Sequence, residues 1–205
     1  MAHGNPSAAP AETVVLVHGM GRSPLSMWPL AWQLRRAGFR VRNFGYSSFG
    51  PSIERIGRSL AAALARRELD GGPVHFVGHS LGNIVIRWLL AHAPPVRPGR
   101  VVMLAPPNRG SRLADRLAPW LSWLLAPLPE LTTVGSTAVR LPPPRGVEFA
   151  IVAGRYDRKV RPDETRLEGA AAHVLVPAGH AFIMMRPDVQ RLVLRFLRHG
   201  AAGLN

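Results

Sequence analysis

The chain has 205 residues, enough for one domain that buries roughly 70% of the surface its unfolded form exposes. It contains no cysteine, so disulfides, thiolate catalysis and thiolate metal ligation are all excluded. The net charge of +14 rests on 25 arginines and one lysine, scattered without basic runs or interleaved aromatics; that pattern argues against a nucleic-acid partner and suits contact with an anionic membrane surface.

Residues 1–12, MAHGNPSAAPAE, lack the basic and apolar regions of a secretory signal and read as a flexible N-terminal segment, making a cytoplasmic location the default. A single domain is expected over 13–200. TVVLV at 13–17 opens it as a buried strand, followed by a glycine-flanked loop, His18-Gly19-Met20-Gly21. Apolar residues at helical spacing follow in PLSMWPLAWQLRRAG, then a strand in FRVRNF at 39–44, then a second helix in SIERIGRSLAAALARREL. VHFVG at 74–78 and RVVML at 100–104 are strands on either side of a helix from Leu81 to His92. Two more strands, VEFAIVAG at 147–154 and AHVLVP at 172–177, precede a last helix, PDVQRLVLRFLRHG, and a C-terminal tail at 201–205. Six strands alternating with helices predict an α/β protein with a mostly parallel sheet covered on both faces.

The rhythm breaks at 108–146, a lid-like insertion rich in Trp, Leu and Pro that offers no strand. Its most apolar stretch, LAPWLSWLLAPL, falls short of the ~20 residues a membrane span needs and contains Pro119 and Pro127. Trp120, Trp123 and Leu124 fall in a helix-length segment after a strand, where they either roof a substrate pocket or pack flat on the core.

The most informative residues are Gly78-His79-Ser80-Leu81-Gly82, between a strand and a helix. Such a turn is so tight that only hydrogen fits at the two glycine positions, and it lifts the Ser80 hydroxyl clear of the sheet edge as a nucleophile elbow. The Leu81 amide, at the helix start, then supplies one half of an oxyanion hole, and the Met20 amide the other, with the Met20 side chain lining the acyl pocket. A serine hydroxyl needs a histidine base and a carboxylate to orient that base, in the chain order Ser, acid, His, each past a strand end. Asp157 and His180 stand directly past the fifth and sixth candidate strands. Asp163 is the nearest rival acid, but its Pro-Asp-Glu-Thr setting favours a helix cap or first turn. His18 and His79 read as structural braces, and His75, His92, His173 and His199 stand where none reaches Ser80.

Taken together, these residues resemble the α/β-hydrolase superfamily, and in particular its small bacterial lipase-like and esterase-like members. LVHGMGRSPLSMWPLAWQLRRAGFRVRNFGYSS is similar to their oxyanion-loop region, VHFVGHSLGN to their elbow and LAPPNRGS to the segment after the next strand. YDRKVRPDET and GHAFIMMRPDVQRLVLRFL are similar to their acid and histidine loops. The chain departs at Asn83, where a small glycine is common, at Arg158-Lys159 in the acid loop, and in the few residues ahead of its first strand, which imply a minimal version of the fold. The resemblance implies a carboxylic-ester hydrolase acting through Ser80, Asp157 and His180 on a small-molecule or lipid ester with an apolar acyl chain, needing no metal or other cofactor. A thioesterase or acyltransferase with the same triad, a non-catalytic binding protein of the same fold, and a basic surface-binding protein are the alternatives.

Overall fold

A computed structural model describes residues 12–66, 72–95 and 97–204, so the expectation for the first twelve residues lies, Glu12 apart, outside them. Strands β1 Thr13–Val17, β2 Arg40–Phe44, β3 Val74–His79, β4 Pro98–Leu104, β5 Phe149–Gly154 and β6 Ala172–Val176 form one sheet. Their order is β2-β1-β3-β4-β5-β6, and every neighbouring pair is parallel. The inner strands β1, β3 and β5 are buried along their whole length, which is why they read as continuous apolar runs. The edge strands β2 and β6 carry exposed Arg40 and Leu175.

Helix α1 Trp28–Arg36, entered through a 3-10 turn at Pro24–Met27, covers one face together with α6 Pro187–His199. Val189, Val193, Phe196 and Leu197 make one buried stripe on α6. At roughly 1.5–3 kcal/mol for each such side chain, packing holds this otherwise polar helix in place. The other face is covered by α2 Ile53–Ala65 and α3 Leu81–His92. The Ser52 hydroxyl caps α2 by accepting the Arg55 amide at 3.3 Å. Gly200–Leu204 form a 3-10 turn, the Ala201 amide donates to Glu148 Oε1 at 2.7 Å, and Leu204 packs against the core.

The insertion between β4 and β5 folds as α4 Arg112–Leu121, a 3-10 turn at Pro129–Leu131 and the short α5 Thr137–Arg140. It lies over α3, which therefore buries nearly every side chain, Arg87 included. The Arg87 guanidinium donates to the carbonyls of Ala138, Leu141 and Pro142 and to Asn108 Oδ1, satisfying the end of α5. Burial pushes its pKa down to about 10, which leaves it charged at neutral pH. A cation deep in an apolar helix thus ties the insertion to the body of the protein. No helix among the described residues is long and apolar enough to cross a membrane.

Candidate active site

The chain leaves β1 toward β2 on one side and, after crossing back, adds β3 to β6 on the other, so the order reverses between β1 and β3. Loops diverge at such a switch point and leave a crevice past the carboxyl ends of the strands. Two of the segments singled out in the sequence flank it: the Gly19-Met20-Gly21 loop after β1 and the Ser80 turn after β3.

Ser80 has φ 52° and ψ −122°, a left-handed conformation that costs a non-glycine residue on the order of 1–3 kcal/mol. The surroundings enforce it. Its amide donates to the Leu104 carbonyl at 2.9 Å, and the buried Asn83 side chain donates from Nδ2 to the carbonyls of Ser80 and Leu104 at 3.1 and 3.0 Å. Asn83, where the sequence departs from its resemblance, therefore locks the turn to β4. A side chain at Gly78 would stand 2.4 Å from Asn83 Oδ1, and one at Gly82 would stand 2.2 Å from the Val17 carbonyl oxygen. Both glycines are thus required by close approach.

His180, on the loop after β6, brings its Nε2 to 3.0 Å from Ser80 Oγ, while its Nδ1 lies 2.7 Å from Asp157 Oδ2. The other Asp157 oxygen accepts the amides of Lys159 and Val160 at 2.8 and 2.9 Å, so the buried carboxylate is fully engaged. This pattern assigns the proton to Nδ1 and leaves the Nε2 lone pair facing the serine hydroxyl. Asp163 is remote from this chain of bonds: it is exposed and pairs with Arg112 at 3.0 Å. Beside it, buried Glu164, which sequence reasoning passed over, accepts the amides of Arg112 and Arg161 and so joins the acid loop to the start of α4.

His79 donates from Nε2 to the backbone carbonyl of His180 at 2.9 Å, with the two rings 4.9 Å apart. Burial, followed by the charge His180 would carry, pushes its pKa well below the ordinary histidine value. It therefore braces the His180 loop as a neutral ring. His18 braces the opposite loop: its Nδ1 donates to the Gly19 carbonyl at 2.9 Å, its ring stacks on Tyr46 at 4.2 Å, and its carbonyl accepts the Tyr46 hydroxyl at 2.6 Å. Burial lowers its pKa as well.

Leu81 is the first residue of α3, so its amide has no acceptor within the helix. On the facing loop, a side chain at Gly19 would meet His79 Nδ1 at 2.8 Å and Ser80 Cβ at 3.2 Å; the backbone leading into Met20 runs directly beside the serine. The next amide, of Gly21, is anchored on Ser48 Oγ at 2.7 Å.

A cavity of about 300 Å³ opens above Ser80 and His180, lined by Met20 and by Leu113, Leu117, Leu125, Leu128 and Leu131 of the insertion. Of the four pocket candidates in the sequence, Met20 lines it and Trp120, Trp123 and Leu124 do not. These three are 77%, 80% and 41% exposed. The reason is local: α4 ends at Leu121, two residues past Pro119, and the following turn points Trp123 and Leu124 outward before the chain returns at Leu125, whose amide donates to the Leu121 carbonyl at 2.8 Å. The signal that finds the lining is the i, i+4 pair Leu113 and Leu117, not aromatic content.

Residues 12–138 match the family model described as alpha/beta hydrolase fold. Among solved structures, the mature lipase BlEst2 of Bacillus licheniformis superposes with a TM-score of 0.68 at 22% identity, covering 89% of each chain. A hydrolase from Pseudomonas aeruginosa superposes with a TM-score of 0.66 at 21% identity, over 93% of this chain and 91% of that one. Phospholipase PlaB from Legionella pneumophila gives 0.74 at 18% identity, over 95% of this chain but 62% of its own. No curated protein matches the sequence.

Proposed function

Because the chain belongs to the α/β-hydrolase fold family, we propose that it is a serine hydrolase that cleaves carboxylic esters with an apolar acyl chain. The observation that carries the proposal is the hydrogen-bonded series Ser80, His180, Asp157 beneath a cavity walled by leucines. Ser80 Oγ attacks the ester carbonyl while His180 Nε2 takes its proton, and Asp157 holds the imidazolium that forms. The carbonyl oxygen, now negative, lies against the amides of Met20 and Leu81. The tetrahedral intermediate then collapses: the bond to the alcohol oxygen breaks, Nε2 returns the proton to that oxygen, and an acyl-serine remains. Water repeats the sequence and releases the acid.

The cavity lies at the low end of ligand-site volumes, about 300–1,000 Å³, which favours short and medium acyl chains over long ones. A fluorophosphonate probe and a panel of nitrophenyl esters and thioesters test the reading. Wild-type protein should label at Ser80 and turn over esters; Ser80→Ala should keep its fold, lose labelling and fall by about 10³-fold or more in turnover. Ser80→Ala turning over esters at the wild-type rate would end the proposal, and a preference for thioesters would move it to a thioesterase.

A further inference from the structure

Two depressions meet at His180. The first is the leucine-walled cavity above Ser80, whose rim includes Arg22 and Lys159. The second, of about 420 Å³, lies on the outer side of His180 and is lined by Tyr156, Arg158, Lys159, Phe182 and Arg186. Neither lining contains an aspartate or glutamate.

The cations differ in their commitments. Arg186 is neutralised by Asp188 at 2.8 Å. Among the described residues, Arg22, Arg158 and Lys159 take part in no ion pair. Arg22 is held in place by a bond to the Ala181 carbonyl at 3.3 Å and by the Phe182 ring, 5.5 Å away. Lys159 is fixed at its backbone on both sides: its amide donates to Asp157 Oδ1 at 2.8 Å and its carbonyl accepts the Ser111 hydroxyl at 2.6 Å. The lone lysine of the sequence thus stands, by construction, on the rim shared by the two depressions.

The chemistry assigns the two depressions to the two halves of an ester. His180 Nε2 must deliver its proton to the departing alcohol oxygen, so the alcohol leaves on the His180 side. The acyl chain takes the apolar cavity. The alcohol half then faces Arg158 and Lys159 between the exposed rings of Tyr156 and Phe182, while Arg22, on the lining of the first cavity, lies over the Phe182 ring. We infer, on the premise that the protein is a serine hydrolase, that its substrate carries an anionic group, a phosphate or carboxylate, on the alcohol half of the ester. Three unpaired cations with no opposing carboxylate attract such a group and stabilise it near the scissile bond, and the +14 net charge steers it toward the rim.

The test uses the purified enzyme and a matched pair of soluble substrates, ortho-nitrophenyl hexanoate and the same ester bearing one ring carboxylate. An exposed charge contact is worth roughly a two- to fivefold change in binding, so the anionic ester should be favoured in kcat/KM by about fivefold or more at low salt. That ratio should fall toward one as salt rises to about 0.5 M. Lys159→Gln and Arg158→Gln should each lower the ratio by about twofold or more, whereas Arg36→Gln, at the far end of α1, removes the same charge and should leave it unchanged. A second pair, monomeric dihexanoyl phosphatidate and dihexanoylglycerol, identifies the source. Preference for the phosphatidate points to a lipid headgroup, and preference confined to the carboxylate ester points to a soluble acyl donor. Ser80-dependent hydrolysis of the neutral esters with a ratio at or below one in both pairs would overturn the inference and leave the hydrolase reading standing. Hydrolysis of neither pair would count against that reading itself.

Discussion

Asp157 and His79 hold His180 from opposite ends, one through its ring and the other through its backbone. Asp157 reaches Nδ1 at 2.7 Å and is itself fixed by two amides, whereas the neutral His79 ring grips the His180 carbonyl at 2.9 Å. Removing the charge of Asp157 changes both the tautomer of His180 and the stability of its protonated form. Asp157→Asn should therefore lower kcat by about 10³- to 10⁴-fold with little change in KM. Asp163→Asn removes only an exposed contact with Arg112 and should stay within about twofold of wild type. Equal sensitivity of the two in steady-state kinetics would show that the acid loop rearranges during turnover. The sequence pointed to Asp157 rather than Asp163 because a strand end is visible as the close of an apolar run. It could not point to the His79 contact, which spans 101 positions and depends on where two loops meet.

At the scale of elements, those whose sequence pattern and physical cause coincide were legible. TVVLV is β1 to the residue, and α3 runs from Leu81 to His92 because the elbow fixes its start. β4 begins two residues earlier than its apolar run, at Pro98, since that run is extended through an irregularity in its pairing with β3. The insertion was legible only as an interruption, because composition does not say which way a side chain faces once Pro119 and a turn have redirected the chain. Arg87 was hidden for a related reason: an arginine within IVIRWLL reads as the solvent-facing side of the helix until a second layer is placed over it. On the proposed reading of the protein as an ester hydrolase, the lining specifies different residues for acyl selectivity. Leu117→Ala and Leu125→Ala should lower kcat/KM on octanoyl esters several-fold more than on acetyl esters, since each substrate methylene that loses contact forfeits up to ~0.8 kcal/mol. Trp123→Ala, 80% exposed in the parent, should leave the octanoyl-to-acetyl ratio as it was. The reverse result, Trp123 controlling the ratio and the leucines not, would place the acyl chain outside the cavity.

For the whole molecule, the histidines set how stability responds to acid. His18, His75, His79 and His173 all have pKa values lowered by burial as the leading cause, and they are distributed over the loops and strands that frame both the site and the sheet. The unfolded chain takes up protons at these rings once pH falls to about 6.5, while the folded chain resists protonation until lower pH. Between those limits the unfolded state binds more protons, so their contribution to stability is complete above about pH 6.5 and is lost as pH falls through that window. The carboxylates whose pKa is lowered, Glu148, Asp163 and Asp188, act in the same direction but only at lower pH, in the carboxylate range. Moving from about pH 7.5 to about pH 5.5 should therefore lower the thermal midpoint and the urea midpoint together. His79 is the one of the group whose pKa is pushed well below the ordinary value; it stands beside His180 and, among the described residues, its Nδ1 has no hydrogen-bond partner. His79→Phe removes the titrating group while keeping a ring, so its midpoint, lower at neutral pH through loss of the bond to His180, should change less between the two pH values than that of the parent. Steeper acid sensitivity in His79→Phe, or a parent midpoint that holds or rises on acidification, would show that these rings carry protons inside the fold.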